Sequence, residues 1–285
     1  MNTRRYISLI AVTLITGLLA VSCTTDYSCA KSFLNKHRRG SASATEKIYV
    51  CLPKEVVHTN TSLNEVTNFP YLTERQQDSV IASLTALLDK IDDSVFLSQF
   101  SSALLYTISR TNVPIVLVDD ETRLPKASEQ VYTLNIPQLE AEEFLQKRRS
   151  DFSTRNGVYY AYDYDLRHFS ANAWFEFGGD SSMYFKNLEI AETFQGSVKK
   201  LSQQEKKATI DGHFNRIGLN NMYQTARDLG TLCGTLYVER VLTQYIRSRR
   251  GSNSEYFYYL PKTNDIGQEV PYKEGMAEGF DKLSQ

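Results

Sequence analysis

The chain lacks a surplus of either charge: 32 Lys and Arg stand against 33 Asp and Glu in 285 residues, a net charge of −1. A protein that grips nucleic acid carries a basic excess to neutralise phosphates, so nucleic acid is not expected as a partner. Short catalytic motifs are missing as well. There is no H-E-x-x-H, no G-x-S-x-G elbow, no phosphate-cradling P-loop and no dinucleotide glycine motif. His58, His168 and His213 are far apart and lack the i, i+4 or Cys-spaced partners that hold a metal, so each reads as a structural histidine. No metal, no cofactor and no catalytic residue is expected, and the chain does not read as an enzyme.

What the sequence does have begins at its first residues. Arg4 and Arg5 precede an apolar run from Ile7 to Val21 that ends in Ala20-Val21-Ser22-Cys23, too short and wrongly flanked for a membrane span and typical of an export signal. The cysteine directly after small residues resembles a bacterial lipobox, which implies lipidation of Cys23 and removal of residues 1–22. An ordinary signal cut at Ala20 or Ser22 is the competing reading. Each buried methylene of an acyl chain adds roughly 0.8 kcal/mol, so two or three chains hold a protein to a membrane durably. Residues 23–45 are polar and rich in Ser, Ala, Lys and Arg, and read as a flexible tether. Its basic knot, Lys36-His37-Arg38-Arg39, suits an anionic headgroup layer as well as plain solvent.

With Cys23 lipidated, Cys29, Cys51 and Cys233 remain, an odd number that permits at most one internal bridge. Cys233 falls on the apolar side of an expected helix, which leaves Cys29 with Cys51 as the pair if a disulfide forms.

The rest, residues 46–285, reads as one α/β domain, with a subdivision near 150 as the alternative. A strand is expected at Lys47–Leu52, stopped by Pro53. From Thr73, apolar residues recur at helical spacing through Val80, Ile81, Leu84, Leu87, Leu88 and Ile91. A second helix follows the acidic pair Asp92-Asp93, through Phe96, Phe100, Leu104 and Ile108, and ends at Asn112 and Pro114. Pro114–Val118 reads as a strand buried on both faces, and Val131–Ile136 as another strand.

The middle changes to a meander, with α+β character. Val158–Arg167 alternates over a long stretch, Ala171–Phe177 and Met183–Phe194 continue, and Gly178-Gly179-Asp180 makes a turn. A helix from Leu219 to Arg249 would span roughly 45 Å at 1.5 Å per residue and could cross a whole sheet. The expected architecture is therefore a mixed sheet with an antiparallel meander, packed by two N-terminal helices and one long C-terminal helix.

Three constellations stand out as places for chemistry or contact. On the long alternating strand, Tyr160, Tyr162 and Tyr164, with the run Tyr256 to Tyr259, could form an aromatic ligand face for glycan or peptide. Asp163, Asp165 and Arg167, which share one strand face, could grip a cation or a sugar hydroxyl; core-edge tyrosines and a solvated face are the plainer meanings. Asp119, Asp120 and Glu121 follow an expected strand, where open α/β sheets place ligands at the carboxyl end; an acidic turn is the plainer meaning. Ala226, Gly230 and Gly234 make a small-residue stripe at four-residue spacing, suited to close packing within the domain or against a partner.

The lipobox, the segment after it, the block Asn172-Ala173-Trp174-Phe175-Glu176-Phe177 and the helix from Leu229-Gly230 to Tyr245 together resemble envelope lipoproteins of Bacteroides-type bacteria. That resemblance implies an outer-membrane lipoprotein and brings no catalytic or ligand residues with it. Surface-exported members carry an acidic run after the lipidated cysteine, whereas here Asp26 is the one acid before Lys31, which implies the periplasmic side. The function expected on these grounds is a non-enzymatic accessory or assembly factor, with another envelope protein as partner. The alternative is a ligand-binding lipoprotein with an aromatic surface.

Overall fold

A computed structural model describes residues 26–38, 46–62, 73–75, 77, 86–128, 130–153, 159–178, 182–202, 207–250, 259–263, 269–272 and 281–283. The signal segment, Cys23, Gly179, Asp180 and Tyr256 to Tyr258 lie outside them.

The fold is mixed α/β. Among the described residues its main sheet has seven strands, in the order β11-β6-β5-β4-β1-β3, with β2 also paired to β4. In chain order these are β1 (Lys47–Cys51), β2 (Val56–Asn60), β3 (Ile115–Val118), β4 (Val131–Ser153), β5 (Tyr159–Phe177), β6 (Met183–Ala191) and β11 (Asp281–Lys282). β1 runs parallel to both β3 and β4, β2 runs parallel to β4, and the remaining pairs are antiparallel. A second hairpin pairs β7 (Thr193–Ser202) with β8 (Lys207–Asn215), and a third pairs β9 (Tyr259–Thr263) with β10 (Glu269–Tyr272).

Three helices are described: α1 (Asp26–Arg38), α2 (Asp93–Ser109) and α3 (Leu219–Arg250). α2 begins where the acids suggested. The Asp92 carboxylate accepts from the backbone N–H groups of Ser94 and Val95, supplying acceptors that a first helical turn lacks. Arg110 closes the helix and Asn112, at φ 58°, turns the chain toward β3. α3 spans the long stretch expected of it. Among the described residues no helix is long and apolar enough to cross a membrane.

Side-chain parity on β5 separates the layers. Phe169, Ala171, Ala173, Phe175 and Phe177 are all buried and join Leu134, Leu139 and Ala141 of β4 in the core beneath the helices. The helix layer is tight at the stripe of α3. A Cβ on Gly230 would lie 2.3 Å from the Phe100 carbonyl oxygen, and one on Gly234 2.7 Å from Thr107 Cβ. The small residues therefore admit α2, a helix of the same domain, and Ala226 is buried with them.

Several expectations need correction. Residues 26–38 of the expected tether form α1, whose Cys29, Ala30, Phe33, Leu34 and His37 are buried. Their spacing is helical, but Cys and Ala contribute little apolar signal, so the stripe was hard to see. Fully burying a side chain such as Phe33 is worth roughly 1.5–3 kcal/mol, which a solvated tether forgoes. Cys29, Cys51 and Cys233 are each buried thiols, so the Cys29 to Cys51 bridge does not form. β3 is an edge strand with Leu117 55% exposed, not a strand buried on both faces.

The meander's first two strands are one. β5 runs unbroken for 19 residues against a 23-residue β4, because residues 139–153 prolong the strand expected at Val131–Ile136. The third stretch divides at Glu192 into β6 and β7. Of the helix expected from Thr73, the Gln77 N–H donates to the Thr73 carbonyl, Leu88–Lys90 forms a 3-10 turn, and residues 78–85 lie outside the described set.

Candidate functional site

A cleft of about 520 Å³ opens at the carboxyl ends of β1 and β3. It exists because two strands share one edge of β4. β1 pairs with Val131–Asn135 and β2 with Leu139–Glu143, so the chain between them, Leu52 to Glu55, must cross the gap. At that gap β4 bulges between Asn135 and Gln138, around Pro137, which cannot donate to a ladder. The lining joins Lys54 and Glu55 of the crossing loop, Asp119 to Glu121 after β3, and Asn135 and Gln138 at the bulge. Asp119, Asp120 and Glu121 thus stand at the strand ends where their position in the sequence suggested a ligand.

The carboxylates there have distinct tasks. Asp120 accepts from the Thr122 N–H and caps the 3-10 turn Glu121–Arg123; that hydrogen bond, with one from the Thr122 side chain, holds its pKa below the usual range. Asn135 is 5% exposed, and its Nδ2 donates to Glu121 at 3.2 Å and Glu176 at 2.9 Å. One amide thereby tethers two acids at the mouth. Asp119 is 3.8 Å from Arg123, both well exposed, an ion pair of little strength. Cys51 also lines the cleft. Burial raises its thiol pKa, the three acids raise it further and Lys54 offsets part of this, so the nucleophilic thiolate is disfavoured.

Beyond the bulge, the sheet face opposite the helices carries a row of polar and aromatic side chains. Gln138 is in register with Trp174, which packs on Phe185 at 5.0 Å between ring centroids. Next in the row, the Asn172 amide donates to Glu142 at 3.0 Å and Glu140 at 3.3 Å and accepts from the Ser170 hydroxyl. Thr59 of β2 donates to Glu140, and Thr61 just after that strand donates to Glu142. His168 stacks on Phe144 and hydrogen-bonds Glu189.

The tyrosine strand does not make one mixed ligand face. Period-two alternation puts Tyr162 and Tyr164 on the side opposite Asp163 and Asp165. Tyr162 and Tyr164 stack on each other and meet Phe194 and Phe214 of the β7 and β8 hairpin, with the Arg216 guanidinium over the Phe214 ring. Asp163 instead lies 3.9 Å from exposed Arg149, Asp165 is exposed, and Arg167 turns to buried Glu143. The side chain of Tyr160 lies outside the described residues. His58 hydrogen-bonds Asp93, His213 is exposed on β8, and among the described residues no His, Cys, Asp and Glu group has metal-holding geometry.

Lys54, Glu55, Asn135, Gln138 and Cys51 were not singled out in the sequence as lining residues. Pro53 and Pro137 were the available signal, since each interrupts a strand at the cleft.

Fold and site together define a mixed α/β protein with an acidic cleft at the ends of its parallel strands. No family model matches the chain, and no curated protein matches it. One similar solved structure is described as a neuraminyllactose-binding hemagglutinin homologue from Helicobacter pylori. The likeness covers 72% of this chain and 91% of that one at 9% identity, with a TM-score of 0.29, too low to carry an argument about the site.

Proposed function

We propose that the protein is a ligand-binding lipoprotein, anchored through Cys23 at the periplasmic side of the outer membrane, whose cleft takes a neutral or cationic polar ligand. The observation that carries this reading is the cleft itself. Its volume is within the range of small-molecule sites, and hydrogen-bonding side chains from three chain segments converge on it. The acids Glu55, Asp119, Asp120 and Glu121 outnumber Lys54, which disfavours an anionic ligand. The accessory-factor reading loses one support, because the glycine stripe is filled by α2 and is not open to a partner.

The only tryptophan, Trp174, is the cross-strand neighbour of Gln138 and serves as reporter. Titration with an N-acetylglucosamine trimer, a lysine tripeptide and glucuronic acid should give a saturable change in Trp174 fluorescence with one of the first two and none with the third. The response should weaken in Glu121→Gln. Absence of a saturable response to all three, or a response to glucuronic acid alone, rejects the reading. For the anchor, Cys23→Ser should abolish fatty-acid labelling in cells, since a hydroxyl cannot form the thioether; retained labelling rejects it.

A further inference from the structure

We propose that the outer edge of β3 is a docking strand for an extended peptide, which pairs along Ile115–Val118 and sets a basic residue against Asp119, Asp120 and Glu121. This deepens the cleft reading and rests on it, naming the ligand as a peptide.

β3 ends the sheet, with β1 on one side and, among the described residues, no strand on the other. Register fixes which backbone groups look outward. Ile48 is opposite Ile115, and its N–H donates to the Pro114 carbonyl, so the even-numbered residues of β3 bond β1. Ile115 and Leu117 therefore turn their N–H and C=O groups to the open edge, where a strand would find them.

The edge is also unusually inviting. Ile115, Val116, Leu117 and Val118 form an all-apolar edge without the lysine, proline or bulge by which exposed edges usually discourage pairing. Leu117 is in register with Val50, which is fully buried, yet is itself 55% exposed. An apolar side chain on an added strand would cover it.

Charge selects the occupant. β3 runs directly into Asp119, whose side chain is 94% exposed and held by the long contact to Arg123. A basic side chain at the end of the added strand would meet that carboxylate and the cleft acids beyond it. Strand addition supplies affinity through main-chain bonds and selectivity through such side-chain positions.

The test uses the full chain and a fluorescein-labelled Val-Thr-Val-Thr-Val-Arg peptide, read by anisotropy. Binding should fall about tenfold or more when Glu replaces Arg, and likewise when alternate peptide nitrogens are methylated. Leu117→Pro should have the same effect, since it deletes an outward N–H while leaving the ladder to β1 intact, and a wild-type melting curve would confirm that the fold is kept. No binding of the Arg peptide overturns the proposal. Binding that is weakened by Glu121→Gln but indifferent to Leu117→Pro and to methylation overturns the docking strand and leaves the cleft reading standing. Self-association that Leu117→Pro abolishes, without peptide binding, assigns the edge to a second copy of the chain and overturns the peptide.

Discussion

The two faces of β5 are built from alternate residues of one strand and obey different rules. Toward the helices, Phe169, Phe175 and Phe177 meet a layer so close that α3 needs glycine where it crosses α2. On the opposite face, His168 and Asn172 hydrogen-bond acids of neighbouring strands, Ser170 donates to Asn172 of its own strand, and Glu176 accepts from the Asn135 amide. Shape fixes the first face and polar pairing the second. A face held by hydrogen bonds tolerates replacement of one partner better than a face held by volume.

Adding bulk to the helix side should give the largest effect. Gly230→Leu places a Cβ 2.3 Å from a backbone oxygen of α2, and backbone cannot swing aside as a flexible side chain can. The expected loss is about 3 kcal/mol or more in a denaturant melt, at the upper end of the overpacking range. A wild-type midpoint would break the comparison, because it would mean that the two helices slide freely.

On the polar face the same kind of replacement should cost less. Asn172→Leu removes the amide shared by Glu140 and Glu142 and the acceptor of Ser170, but each acid keeps a threonine donor, Thr59 or Thr61. The expected loss is about 1–2 kcal/mol. A cost equal to that of Gly230→Leu would show that this face is as closely determined as the helix side.

Much of the helix side was legible and much of the polar face was not. α2, α3 and the buried Cys233 follow from apolar period and from Asp92-Asp93, because burial on one face writes itself into the sequence. β4 beyond Pro137 was missed, since Glu140, Glu142 and Glu143 look like a solvated run. Two of these acids lie on the polar face, and the third, Glu143, is buried on the helix side because its carboxylate accepts from Leu87 N, Leu88 N and Arg167. Such tertiary compensation leaves no local trace. The acidic turn at Asp119 to Glu121 was visible as a candidate, but the lining opposite it comes from Lys54 and Gln138, far apart in the chain.

The smallest effect expected concerns α1. Lys36 Nζ donates to Glu46 at 2.6 Å, and His37 Nε2 lies 3.6 Å from the other oxygen of the same carboxylate. Burial pushes the Glu46 pKa up, but the Lys36 hydrogen bond, a backbone hydrogen bond and the Lys36 and His37 charges together bring it below its usual 4.5. A carboxylate with a depressed folded pKa contributes stability that is complete above the ordinary glutamate range and is lost as pH falls through the folded value. Lys36→Met removes the leading opposing interaction and leaves burial, so the folded pKa rises and the stability that ionised Glu46 contributes near neutrality is lost. Because Lys36 is itself partly exposed, the cost at neutral pH should stay near or under about 1 kcal/mol. Melting temperature followed from neutral to acid pH should show the variant below wild type at neutrality and the two curves converging as Glu46 becomes protonated. Curves that coincide at neutrality as well would mean that Glu46 does not fasten α1 to β1, and that apolar burial of Phe33 and Leu34 holds the helix alone.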